Sequence, residues 1–150
     1  MLKILRYIIL LIFITGCGYS PIYSNLADKN INIQIEGTNG DKDINQLILQ
    51  KLSRFQNANA EKIYKVKVES SFEKLILTKN TAGNATNFRL NLNVKFITTK
   101  NGNSKEFQLF EKFDMKKGDT IFEEEKYENS IKNNMTSIIV QRFISQLLIE

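Results

Sequence analysis

Phe88, Leu90, Leu92, Val94 and Phe96 alternate with Arg89, Asn91, Asn93 and Lys95. Successive side chains of an extended chain point to opposite faces, so this stretch buries its apolar residues only as a strand with one dry face and one wet face. Wound as a helix, it would scatter the same side chains around the axis. A chain built on such a strand needs further strands beside it and an apolar cover for the dry face.

Both are supplied. Ile31, Ile33 and Ile35 alternate with Asn32, Gln34 and Glu36, which predicts a first strand, closed by a turn over Gly37 to Gly40. Asp41 or Asp43 is placed to cap a helix on which Ile44, Leu47, Ile48, Lys51, Leu52 and Phe55 share a face, and Asn57 to Ala60 ends it. Tyr64, Val66 and Val68 open a second strand whose phase carries on through Phe72 and Ile76, with Lys74 as an irregularity. Thr78 to Thr86 reads as a polar loop before the Phe88 strand. Lys100-Asn101-Gly102-Asn103 is a hairpin turn, with Asn-Gly suited to positive φ. Phe107, Leu109, Phe113 and Met115 then share a strand face, with Glu111 as the exception. After a turn over Lys116 to Asp119, Thr120 and Glu123 form a capping box, and a long helix follows with Ile131, Met135, Ile138, Ile139, Arg142, Phe143 and Leu147 in one stripe. The expected class is α+β in the order β-α-β-β-β-α, a four-stranded sheet with two helices packed on one face. Its other face carries Lys, Asn, Glu and Thr, as suits a sheet wet on one side.

The first residues belong to a different kind of segment. Lys3 and Arg6 precede an uncharged apolar run from Tyr7 to Ile14, and Ile14-Thr15-Gly16-Cys17 closes it. This is the pattern of a secretory signal, and the run is far shorter than the roughly 20 residues of a spanning helix. Its last four residues match a lipobox, in which small residues admit the peptidase and the thiol accepts a diacylglycerol. Residues 1–16 are therefore expected to be a signal peptide, Cys17 the lipidation site carrying N-acyl and S-diacylglycerol groups, 17–30 a lipidated tether, and 31–150 a single domain. Two or more acyl chains give stable anchoring. Gly18 stands where an Asp would favour inner-membrane retention, so the expected place is the outer membrane, periplasmic side. Loss of Lys3 and Arg6 lowers the formal charge from +5 to +3, too little to point to nucleic acid.

Catalytic chemistry is poorly supplied. The chain has no His for acid–base work, and its single Cys is taken by lipid. Glu123, Glu124 and Glu125 are consecutive, so on a helix they diverge and cannot converge on one cation; a solvated first turn favoured by the helix dipole accounts for them. The expectation is a non-enzyme with no metal and no cofactor beyond the covalent lipid. Lys79, Arg89, Lys116, Lys117 and Lys126 lie near strand and helix ends that one sheet can gather, and such cations can meet phosphate groups. Ordinary solubilising charge is the favoured account of them, since surface Lys is the default.

Cys17-Gly18-Tyr19-Ser20-Pro21-Ile22-Tyr23, the Gly83-to-Leu90 entry into the long alternating strand, and the terminal helix with Ile131, Met135, Ile139, Phe143 and Leu147 together resemble the LPS-assembly lipoprotein family LptE. The resemblance spans the chain after the signal. It implies a sheet with two helices, no enzymatic activity, and a role inside or against the outer-membrane β-barrel LptD as partner and plug of the lipopolysaccharide exporter. It also implies lipopolysaccharide contact by basic residues before the third strand and near the start of the last helix. Lys79 is the nearest candidate in the first region. In the second, Glu124 occupies a position where the family can have Lys, with Lys126 close by. Arg89, which opens the third strand, is a further candidate for lipopolysaccharide contact. A stand-alone envelope lipid-binding or transport-auxiliary lipoprotein is the alternative, and it would need an apolar cavity between sheet and helices. A lipoprotein of another outer-membrane assembly machine ranks third.

Overall fold

A computed structural model describes residues 30–149. Within it the chain forms β1 (Ile31–Gly40), α1 (Lys42–Leu52) with a 3-10 turn at Ser53–Phe55, β2 (Lys62–Lys79), β3 (Ala85–Lys100), β4 (Asn103–Lys116) and α2 (Ile121–Leu148). This is the expected β-α-β-β-β-α order. The signal segment, Cys17 and nearly all of the tether lie outside the described residues.

The four strands lie in the order β1-β2-β3-β4. β2, β3 and β4 are joined by hairpins and run antiparallel, whereas β1 pairs parallel to β2. A parallel neighbour requires a crossover, and α1 is that crossover. Asp41 caps α1, its side chain accepting the Ile44 N–H at 2.9 Å. Ile44, Ile48 and Leu52 then face the sheet.

The stretch from Gly37 to Gly40 does not turn. It continues β1 past a bulge between Ile35 and Gly37, because pairing with Lys67 to Ser70 satisfies its backbone. Gly40, at φ +94°, sits so close to the Ser70 carbonyl that any Cβ would run into it. The expected loop from Thr78 to Thr86 is also shorter. β2 and β3 extend to Lys79 and from Ala85. Asn80 closes the remaining turn, its Oδ1 accepting the N–H groups of Ala82 at 3.1 Å and Asn84 at 2.9 Å. The opposite hairpin forms as expected, with Asn101 at φ 52° and Gly102 at φ 83°.

Alternation decides which sheet face is covered. Tyr64, Val66, Val68, Leu90, Leu92, Val94, Phe96, Phe107, Leu109 and Met115 are buried against both helices. The Phe143 ring stacks on Phe96 with centroids 4.1 Å apart and meets Phe107 edge-on at 5.5 Å. The α2 stripe is broader than its sequence period suggests. Thr136, Val140 and Ile144 are buried as well, while Ile138 is exposed. Thr136 tolerates burial because its hydroxyl donates to the Lys132 carbonyl at 2.7 Å. Asn45, also buried, donates to the Asn39 carbonyl and accepts from the Ser70 hydroxyl at 2.9 Å.

Beyond Ser70, β2 has no β1 partner. This far end of the sheet, running to the Asn80 turn, is backed only by the first turns of α2. Phe113, expected in the core, lies there 40% exposed and contacts Tyr127 edge-on. No helix of the described residues is long and apolar enough to cross a membrane.

Candidate functional site

The outward sheet face and the far end hold the residues singled out from the sequence. Lys79 is the last residue of β2, opposite Ala85 and exposed. Arg89 points outward from β3, since its neighbour Leu90 is fully buried. Lys126 stands exposed on the second turn of α2, on the covered side of the sheet. The three thus share one end of the molecule, but Arg89 and Lys126 lie on opposite sides of the sheet. Lys79 and Lys126 form no ion pair among the described residues. Arg89 grips Asp114 on β4 with two bonds, Nε to Oδ1 and a terminal nitrogen to Oδ2, both 2.7 Å. Those bonds lower the Asp114 pKa and raise that of Arg89, so both stay charged and bound to each other.

The outward face as a whole is ion-laced. Lys65 reaches Glu36 at 3.3 Å, and Lys95 lies between Glu106 at 3.3 Å and Glu69 at 3.7 Å. Lys65, Lys67, Arg89, Lys95, Lys112 and Lys116 face outward alongside Glu36, Glu69, Glu73, Glu106 and Asp114, with Ser71, Asn91, Asn93 and Gln108 between them. Strand periodicity placed these residues on one face; strand register set cation beside anion. The face is mixed: these charged and hydrogen-bonding groups are interspersed with exposed Ile63, Leu75 and Phe110.

The residue missed by sequence reasoning is Lys74. It is no irregularity of β2: its pairing with Leu90 keeps register, and its side chain points to the covered face. Its ammonium donates to Glu124 at 2.7 Å and Glu128 at 2.8 Å on α2, and sits over the Phe88 ring, 4.3 Å from its centroid. Partial burial lowers the Lys74 pKa, but the hydrogen bonds and charge of the two glutamates outweigh it and the net shift is upward. Glu124 is pulled down chiefly by the bond from Lys74. Burial pushes Glu128 up, and bonds from Lys74 and Lys132 overcome it to give a net lowering. Glu111, the exception on β4, has the same solution and pairs with Arg142 of α2. A charge at an apolar phase position was the available signal for both; its partner lies far away in sequence.

Glu123, Glu124 and Glu125 diverge as expected. Glu123 returns to the helix cap, where the Thr120 hydroxyl accepts the Glu123 N–H at 3.2 Å. Glu124 turns to Lys74. Between β4 and α2 runs an open groove of about 550 Å³, floored by Phe113, Tyr127, Ile131 and Met135 and edged by Ser130 and Asn134.

No protein-family model and no curated protein sequence matches the chain. Its fold is shared with solved structures. Rare lipoprotein B from Shewanella oneidensis aligns with TM-score 0.55 at 15% identity, over 79% of this chain and 96% of that one. A chain described as a candidate lipoprotein from Caulobacter crescentus CB15 aligns with TM-score 0.51 at 14% identity, over 83% and 90%. At such identities the likeness is one of fold.

Proposed function

We propose that the chain is a lipid-anchored envelope lipoprotein that partners and plugs an outer-membrane β-barrel of the LptD type, assisting its assembly and the insertion of lipopolysaccharide into the outer leaflet. The lipobox at Cys17 supplies the anchor, and the proteins sharing its fold are themselves described as lipoproteins, in one case as a candidate. The observation that carries the partner reading is the outward sheet face. The lumen of a transmembrane barrel is polar. A domain lodged there does best with a broad surface of charged and hydrogen-bonding groups that can exchange water for polar wall groups. The ion pairs and amides of this face supply them, and exposed Ile63, Leu75 and Phe110 add apolar contact points. In this reading the protein has no enzymatic activity and needs no cofactor besides its lipid. Lys79 and Lys126 are the cations that would meet lipopolysaccharide phosphates, with Arg89 held in reserve by Asp114.

The test is capture of C-terminally tagged, lipidated protein from outer membranes in mild detergent. A large β-barrel recovered in stoichiometric amount supports the reading. Recovery of the lipoprotein alone, or with bound lipid only, overturns it in favour of a stand-alone lipid-binding role for which the β4–α2 groove is the candidate. Substituting Asn91 and Asn93 by Leu on the outward face should weaken barrel recovery while leaving the fold intact.

A further inference from the structure

Helix α2 changes character at Ile131. From Ile131 to Leu147 it buries eight side chains, spaced to fill the core over the sheet. From Ile121 to Ser130, about 15 Å of helix by its rise per residue, it buries none. In that first stretch only Glu124 and Glu128 are even half-covered, and they are the two partners of Lys74.

We infer that residues 121–130 form an electrostatic strap, an arm of helix clamped onto the far end of the sheet by Lys74, Glu124 and Glu128, which can release while the rest of α2 stays docked.

Three features make the arm separable. First, its attachment is ionic, and water reaches it. An open cleft of about 490 Å³ lies beside the clamp, bordered by Lys117, Ile121, Glu125 and Lys132. Ion pairs reached by solvent weaken as salt screens them, whereas apolar packing does not. Second, little else holds the arm. The remaining ties are the Gly118 N–H bonded to Glu124 at 3.3 Å, the Thr120 cap, the Phe113–Tyr127 contact and the Glu128–Lys132 pair within the helix. Third, a helix this short is marginal in water without tertiary support. Once unclamped it frays back to Ile131, where burial resumes. The surface it uncovers is the inner side of the β2–β3 hairpin around Phe88, now shielded by the Lys74 ammonium. The strap is therefore a gate over the far end of the sheet, set by ionic strength rather than by packing.

Amide hydrogen exchange of the full mature chain tests this, in 50 mM and 1 M NaCl. Exchange in 125–130 is expected to rise about fivefold in high salt, on the scale of losing one or two such pairs, while 135–147 stays protected. Lys74→Met should give the same rise at low salt and abolish the salt response; Lys74→Arg should restore protection; Lys42→Met, exposed on α1 away from the clamp, should leave exchange in 125–130 unchanged. Salt-independent exchange in 125–130, or a rise shared equally by 135–147, would overturn the proposal. So would Lys74→Met exchanging like the parent. If Lys74→Met unfolds the whole domain, the salt response of the parent chain decides alone.

Discussion

The Phe143 ring lies parallel to Phe96 at 4.1 Å, joining the end of the chain to the centre of the sheet. Both side chains are fully buried, and Phe107 closes the cluster edge-on. Phe143→Ala removes an aromatic from this close-packed site. It should destabilise the domain by about 3–5 kcal/mol, the usual cost of Phe→Ala in a core. Chemical denaturation of the parent and variant checks this; a loss under about 1 kcal/mol would mean that the cavity collapses or that the cluster is not the core.

Asn45 and Ser70 couple the crossover helix to β2. Their side chains bond at 2.9 Å in a buried setting, and Asn45 also holds the β1 end through Asn39. Ser70→Ala leaves the Asn45 carbonyl oxygen without its donor and should cost about 1–3 kcal/mol. The double change Ser70→Ala, Asn45→Leu should recover part of that loss, and a double-mutant cycle measures the coupling.

Gly40 allows no substitute. Gly40→Ala adds a Cβ that collides with the Ser70 carbonyl, at a φ of +94° that L side chains rarely adopt. Destabilisation should exceed the roughly 1 kcal/mol of an ordinary Gly position, whereas Gly37→Ala, where nothing lies near, should be mild. Equal melting temperatures for the two variants would contradict this.

Stability should fall in acid through Glu124 and Glu128. Both carboxyls are held below the ordinary value of 4.5. A depressed carboxyl contributes stability that is complete above its unfolded pKa and lost as pH falls through the folded one. The loss should therefore set in below about pH 4.5 and continue downward. Lys74, shifted up from 10.5, contributes below that value and loses its contribution only as pH rises beyond it. Glu124→Gln with Glu128→Gln should flatten the acid limb of a denaturation-midpoint series without changing the neutral-to-pH 9 plateau's shape.

Lipopolysaccharide contact, if made by the exposed cations, should follow Lys79 and Lys126. Replacing both by Ala should weaken binding of purified lipopolysaccharide several-fold, in a salt-dependent way. Asp114→Ala, which leaves Arg89 unclamped, should strengthen it. Binding indifferent to all three changes would move the contact elsewhere.

Much of the molecule was legible in advance because side-chain period is a local property. Alternation along Phe88 to Phe96 and the spacing of Ile131, Met135, Ile139, Phe143 and Leu147 define a strand and a helix without knowledge of their neighbours. The caps at Asp41 and Thr120 and the Asn101-Gly102 turn are equally local, and each formed where the residues place it.

What the tertiary structure alone decided is pairing across long separations. Gly37 to Gly40 is turn-like in composition, yet parallel pairing with β2 draws it into the sheet, since ladder bonds outweigh a weak local preference. Arg89 looked available until strand register set Asp114 beside it. Lys74 looked like a flaw in a strand, and became a clamp once α2 laid Glu124 and Glu128 across it, 50 and 54 residues further on. A charge at an apolar position says only that a partner is needed. Its identity depends on which distant element packs there, and that is settled by the burial of the whole core rather than by any local stretch.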